Sequence, residues 1–265
     1  MRRVMFSILI ALLFFESNGQ DIKFSKIKSD TATTFNFVNK TYAPITLKIT
    51  HKKDSEIRFL EGETLCKPQD SLINVVNIPK RLFENDSTFE TSDYIGLSYS
   101  FGKRLHKDSI KKHLYELPFQ KRKRYKIMQG FNGKFSHRSV QSKYAIDFKI
   151  PIGDTIVAAR NGYVVRVVSH FTERGGKSFR DKANQIVIVH DDATFAYYVH
   201  LDTNGTLVEV NDYVEAGQPI GIAGFTGYTT KPHLHFVVRN YDTAIPIEFK
   251  KRKDIGKKSG VWVRN

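Results

Sequence analysis

Cysteine is nearly absent: the chain of 265 residues has one, Cys66. That excludes a disulfide within the chain and any zinc site built on thiolates. A metal, if bound, must be held by His, Asp or Glu. The sequence His-Glu-x-x-His is also missing, and with it the glutamate base of helix-borne zinc proteases. There is no convincing amphipathic helix, no internal repeat and no low-complexity tract. Beyond the first residues, no apolar run reaches bilayer-spanning length. Hydrophobic residues still make up 40% and aromatics 12%, which excludes a disordered chain. The length allows one large domain or two modest ones.

What is present begins with MRRVMFSILIALLFFESNGQ. Arg2 and Arg3 give a basic start, Val4 to Phe15 is apolar apart from Ser7, and small polar residues follow. Residues 1–19 read as a signal peptide. The mature chain is then expected to be exported, periplasmic or secreted, and free of the membrane once the signal is removed. Net charge is +15, with basic clusters at Lys121 to Arg124 and Lys250 to Lys253. Outside the cell such a balance favours acidic envelope polymers over nucleic acid. Plain solvated surface is the competing reading of each cluster.

Residues 21–115, within an accessory domain read over 20–117, alternate apolar and polar at period two. Phe35 and Phe37 form one stretch, Ile45, Leu47 and Ile49 another, and Ile95, Leu97, Tyr99 and Phe101 a third. This pattern predicts a β-sandwich-like accessory domain. Pro118 and the basic run after it mark a composition shift. Residues 118–250 remain mainly β, with β-branched runs such as GYVVRVVS and NQIVIVH and dense glycines, and predict an antiparallel β domain. Residues 251–265 read as a basic C-terminal tail.

The chemistry concentrates in that second stretch. In KPHLHF, Pro232 disfavours a helix, and residues two apart on a strand share a face. His233 and His235 are therefore expected to point to one side, with Leu234 and Phe236 in the core. In YAIDFKI, Asp147 opposes the face of Ile146, Phe148 and Ile150. In FAYYVHL, the alternation places His200 with Ala196 and Tyr198. His137 lies in a loop-like segment, GKFSHRS. Imidazoles and a carboxylate are good zinc ligands. Five such residues exceed what one metal needs, which leaves some for proton chemistry.

The segments FSHRSVQSKYAIDF, VAARNGYVV, YYVHL and GFTGYTTKPHLHF together resemble the lysostaphin-type (LytM-like) zinc endopeptidases of bacterial cell walls, over residues 128–240. The resemblance implies an antiparallel β peptidase domain holding Zn2+ through His137, Asp147 and His235. It implies His200 and His233 as the catalytic pair, and peptidoglycan peptide cross-links as the substrate. Two departures stand out. His137 and Asp147 are ten residues apart, longer than the family's short spacing, and Lys231 and Val237 replace a common glycine and glutamate.

A zinc ion held by three protein ligands keeps one position open for water. His233 is the expected proton acceptor and His200 the donor to the oxyanion or leaving amine, with exchange of the two roles left open. The alternative is a non-catalytic LytM-like wall-binding module that regulates other hydrolases. His190 reads as structural, and Tyr198 as a packing residue rather than a partner of His200.

Overall fold

The computed structural model describes residues 21–84, 90–106, 110 and 112–265. The expected signal peptide, 1–19, lies outside them. Among the described residues no helix is long and apolar enough to cross a membrane. The chain divides into two compact units, one ending at Lys103 and one running from Arg104 to Asn265.

The first unit is formed by β1 (Ile22–Lys28), β2 (Ala32–Asn39), β3 (Ile45–His51), β4 (Arg58–Phe59), β5 (Gly62–Cys66), β6 (Asp70–Pro79) and β7 (Ile95–Phe101). They make two antiparallel sheets, ordered β1-β2-β6-β4 and β5-β3-β7. The residues that set the period-two pattern fall in β2, β3 and β7. Phe35, Phe37, Ile45, Leu47 and Ile49 are buried. The ring of Phe37 in one sheet meets Tyr99 in the other at 6.4 Å. The two sheets thus share a core, as a sandwich requires.

The second unit follows with β8 (Leu114–Tyr115), β9 (Arg124–Gln129), β10 (Ile146–Lys149), β11 (Thr155–Val157), β12 (Gly162–Val168), β13 (Arg174–Gly175), β14 (Gln185–Val189) and β15 (Phe195–Val199). After these come β16 (Leu201–Thr206), β17 (Tyr213–Val214), β18 (Pro219–Ala223), β19 (Gly227–Tyr228), β20 (Leu234–Asn240), β21 (Thr243–Ala244), β22 (Glu248–Phe249) and β23 (Trp262–Arg264). The large sheet runs β17-β12-β14-β15-β20-β10-β9-β23, and β11-β18-β16 form a smaller one. Between them lies one core. Ile146, Phe148, Ile186, Tyr198, Leu234 and Phe236 of the large sheet pack with Ile156, Leu201 and Ile220 of the small one. Each fully buried aliphatic or Phe side chain there contributes roughly 1.5–3 kcal/mol. β8 precedes the composition shift at Pro118, yet it pairs with β22 inside this unit. The stretch read as a basic tail carries β23, which pairs with β9.

The basic clusters are partly neutralised. Lys123 reaches Asp154 at 3.3 Å and Lys250 reaches Glu116 at 2.8 Å, while Arg252 and Lys258 share Asp254. Exposed pairs of this kind add little stability. They do reduce the charge left for a polyanion.

Candidate metal centre and its histidines

Sheet alternation and register build the site. In β20, Leu234, Phe236 and Val238 face the core, so His235, Val237 and Arg239 face the other way. In β10, Ile146 and Phe148 face the core and Asp147 is turned outward. The register sets Asp147 opposite His235, and His235 opposite Val199 on the other side. Directly opposed residues of an antiparallel pair bring their side chains within reach of each other. His235 Nδ1 accordingly lies 2.8 Å from Asp147 Oδ1.

His137 comes from the turns between β9 and β10. Its ten-residue separation from Asp147 is taken up by tight backbone turns, including Lys143 N–H to Ser139 O and Ala145 N–H to Ser142 O. The ring is fully buried. Its Nδ1–H donates to Gly130 O at 2.8 Å, which leaves Nε2 at 3.1 Å from Asp147 Oδ1. Donor atoms of His137, Asp147 and His235 all lie within 4.8 Å of one another. Two nitrogens and one carboxylate oxygen in that space suit a tetrahedral zinc with an open position.

His233 sits one residue before β20 rather than inside it. Its Nδ1–H donates to Lys231 O at 2.8 Å, with Thr229 Oγ1 at 3.2 Å. Its Nε2 lies 3.7 Å from Asp147 Oδ1, on the same side as His235.

His200 reaches the site by a route the alternation does not predict. The face of Ala196 and Tyr198 is the core face, and Tyr198 is a packing residue whose hydroxyl accepts from Ala159 N–H at 2.8 Å. His200 escapes that face because its backbone turns into the left-handed region, at φ +70°. A non-glycine residue there is strained by about 1–3 kcal/mol and must be held by its surroundings. Its Nδ1–H donates to Thr226 O at 2.7 Å, and its carbonyl accepts from Gly224 N–H at 3.1 Å. A Cβ on Gly224 would stand 2.3 Å from Asp202 N, so only glycine permits this approach. The His200 ring lies 4.7 Å from that of His233 and 6.1 Å from that of His235.

Sequence reasoning missed the residues that aim these groups. Gln129 donates its amide to Asp147 Oδ2 at 3.1 Å and to Ser136 Oγ at 2.8 Å. It thereby turns Oδ1 toward the imidazoles. Buried Asn184 receives Phe171 N–H and donates to the carbonyls of Phe171 and Asp202. Its own N–H donates to Thr226 Oγ1, which donates on to Leu201 O. That network holds the turn carrying His200. Thr226 and Thr229 lie inside the motif GFTGYTTKPHLHF, a signal that was available; Gln129 and Asn184 carry none.

Electrostatics separates the groups. Burial opposes the Asp147 carboxylate, but the imidazoles of His137 and His235 bonded to it hold it well below the usual carboxylate range. Burial also opposes the charged His137 ring, and its bond to Asp147 outweighs this and raises it. Burial lowers His235 despite Asp147, with His137 and His233 adding to the effect. Burial, followed by the neighbouring His233 and His235, pulls His200 down to about 3.

His190 stands at the other end of the β14–β15 hairpin. Its Nδ1–H donates to Asn161 O at 2.8 Å, and its ring packs edge-on against Tyr115 at 5.7 Å. Arg160, Asp192 and His113 also act on it, and burial pulls it down to about 4. An unfolded imidazole titrates near 6.5. Between roughly 6.5 and 4 the unfolded chain binds more protons, so His190 removes stability as pH falls through that window. Urea melts at pH 7 and pH 4 are expected to show wild type losing ~1–3 kcal/mol more than His190→Gln. Equal losses would refute this.

Comparison with known proteins follows the same region. Residues 141–247 match the family model described as Peptidase family M23; His137 lies just outside the matched residues. Lysostaphin of Staphylococcus staphylolyticus is 36% identical over 123 residues, 44% of this chain and 24% of the relative. Peptidoglycan DD-endopeptidase ShyB of Vibrio cholerae is 34% identical over 138 residues, 50% of this chain and 30% of the relative. A solved structure of the antimicrobial peptidase lysostaphin from Staphylococcus simulans aligns with TM-score 0.35 and 33% identity, covering 46% of this chain and 47% of that one. The chain thus spans less than a third of the length of these two curated relatives.

Proposed function

We propose that this chain, which belongs to the LytM-like peptidases of family M23 through its residues 141–247, is an exported zinc-dependent endopeptidase that hydrolyses peptide cross-links of peptidoglycan. The observation that carries the proposal is the convergence of His137, Asp147 and His235 on one point, with two further imidazoles beside it. Zinc held there supplies Lewis acidity, polarising a peptide carbonyl and making water acidic enough to attack near neutral pH.

The protein's own residues do the rest. His137 Nε2, Asp147 Oδ1 and His235 Nδ1 would hold the ion. Gly130 O fixes the His137 tautomer, and Gln129 fixes the carboxylate. With each ring neutral, Lys231 O accepts a hydrogen bond from His233 Nδ1–H and Thr226 O accepts one from His200 Nδ1–H. Each ring then presents an Nε2 lone pair. His233, the more accessible of the two, takes the proton from the attacking water. His200 is neutral at rest, because its depressed pKa opposes carrying a proton beforehand. It takes up a solvent proton on Nε2 as negative charge develops beside it and passes that proton to the oxygen or amine that gains charge, while His233 returns its own to solvent.

The test incubates purified zinc-loaded chain with peptidoglycan sacculi and identifies released fragments by mass spectrometry, with and without a chelator. New peptide termini that vanish with the chelator are expected. The chain recovered from the producing cells should lie outside the cytoplasm and start near Gln20. Intact sacculi after prolonged incubation with zinc-loaded protein would overturn the hydrolase reading and favour the non-catalytic wall-binding module.

A further inference from the structure

The polar segment between β12 and β14 is joined to the site by a specific pairing. Its strand β13 runs parallel to β19, with Arg174 opposite Gly227 and Gly175 opposite Tyr228. The strand it joins belongs to the segment that aims both catalytic candidates. Thr226 O receives His200 Nδ1–H, and Thr229 Oγ1 stands against His233 Nδ1. Gly227 sits at φ +81° with Ala183 pressed against it, since a Cβ there would come within 2.5 Å of that side chain. The wall is therefore close-packed where it meets the site.

Two exposed arginines stand on this wall. The guanidinium carbon of Arg174 lies 4.2 Å from the centroid of Phe225, and that of Arg180 lies 5.3 Å from the centroid of Tyr228. Phe225 and Tyr228 bracket Thr226 and Gly227. Among the described residues neither arginine forms an ion pair, although Lys182 on the same segment reaches Glu173 at 3.9 Å. A guanidinium stacked on a ring loses little further freedom on binding, and its planar fork matches a carboxylate with two parallel hydrogen bonds. An ordinary solvated cation on a loop would have neither the stacking platform nor a place on the segment that carries Thr226 and Thr229.

We propose that Arg174 and Arg180 form a carboxylate clamp on the β13–β19 wall, selecting peptides that carry a free carboxylate near the scissile bond over their amidated counterparts. The inference rests on the hydrolase reading and names its substrate class. The clamp adds no bond-making step; it positions the peptide beside His200 and His233.

The experiment uses two synthetic cross-link peptides, identical except that one carries a free carboxyl where the other carries an amide. Turnover is measured with the zinc-loaded full chain. Binding is measured by calorimetry on His233→Ala protein, whose turnover, slowed on the order of 10²–10⁴, leaves the peptides largely intact during a titration. Wild type is expected to favour the acidic peptide by ~10-fold to 100-fold in kcat/KM, the range of one or two charged hydrogen bonds, and the preference should shrink in high salt. Arg174→Gln/Arg180→Gln should lose the preference through a raised KM on the acidic peptide alone, with zinc content unchanged. Arg174→Lys/Arg180→Lys, which keeps the charge but neither the planar stack nor the fork, should keep only part of it. Equal kcat/KM of wild type on both peptides would remove the clamp and leave the hydrolase reading standing. A parallel loss on both peptides in the Gln variant would mean that the arginines only brace the wall. Tighter binding of the acidic peptide without cleavage of either would uphold the clamp and sink the hydrolase.

Discussion

Asp147→Ala protein is expected to purify with zinc at background level, against about one ion per wild-type chain, and to release peptidoglycan peptides at least ~10³-fold more slowly. Asp147 is the one anion among four imidazoles, and its Oδ1 is the point on which His137 and His235 converge. Without it, two nitrogens face each other across an empty space with no charge to balance a divalent ion. Asp147→Asn keeps the volume and separates packing from charge. In metal-free protein it should be less stable than wild type at pH 7, because the wild-type carboxyl is held below its usual range. That contribution is fully present above the unfolded carboxyl pKa of about 3.9 and is lost as pH falls through the lower folded value. The gap between the two proteins should therefore close in acid. Metal analysis of Asp147→Ala checks the larger effect, and full zinc occupancy would show that the centre lies elsewhere.

How much of this was legible depended on how local the determining physics is. The strands of the sandwich follow from period-two runs and those of the large sheet from β-branched runs and shorter alternations, and Phe37, Leu47, Phe148 and Phe236 are buried where those patterns put them. The neighbouring places of Asp147 and His235 needed only strand parity plus one register. His200 defeated parity because its side is set by a left-handed backbone, and that turn is held by Asn184, Thr226 and Gly224, residues distant along the chain. Strand parity gave no way to place His137 beside Asp147; that pairing came only with the family resemblance, and the turns between β9 and β10 produce it. Gln129 was invisible for the same reason: an amide that orients a carboxylate leaves no periodicity. The ends of the second unit were also hidden. β8 and β23 are short strands whose partners, β22 and β9, lie far away in sequence.

Three alanine variants then divide the histidines by role. His235 supplies Nδ1 at 2.8 Å from the shared carboxylate oxygen, inside the group of donor atoms. His235→Ala should be poor in zinc and inactive. His233 Nε2 stands off at 3.7 Å from that oxygen, and its other nitrogen is tied to Lys231 O. His200 is tied to Thr226 O and faces His233 ring to ring. Both lie beside the donor group without belonging to it. His233→Ala and His200→Ala should hold zinc near the wild-type level and lose on the order of 10²–10⁴ in rate, the usual cost of removing a general acid or base. His200→Ala carries a further signature. Alanine at φ +70° keeps the strain and loses the bond to Thr226 O, so this variant should also melt earlier, whereas His233→Ala, at a partly exposed position, should not. Zinc content, wall-peptide turnover and thermal melts are measured on the three side by side. Equal zinc loss in His233→Ala and His235→Ala would make both residues ligands. His200 would then be left as the one imidazole able to move the proton, and the division of roles along KPHLHF would fall.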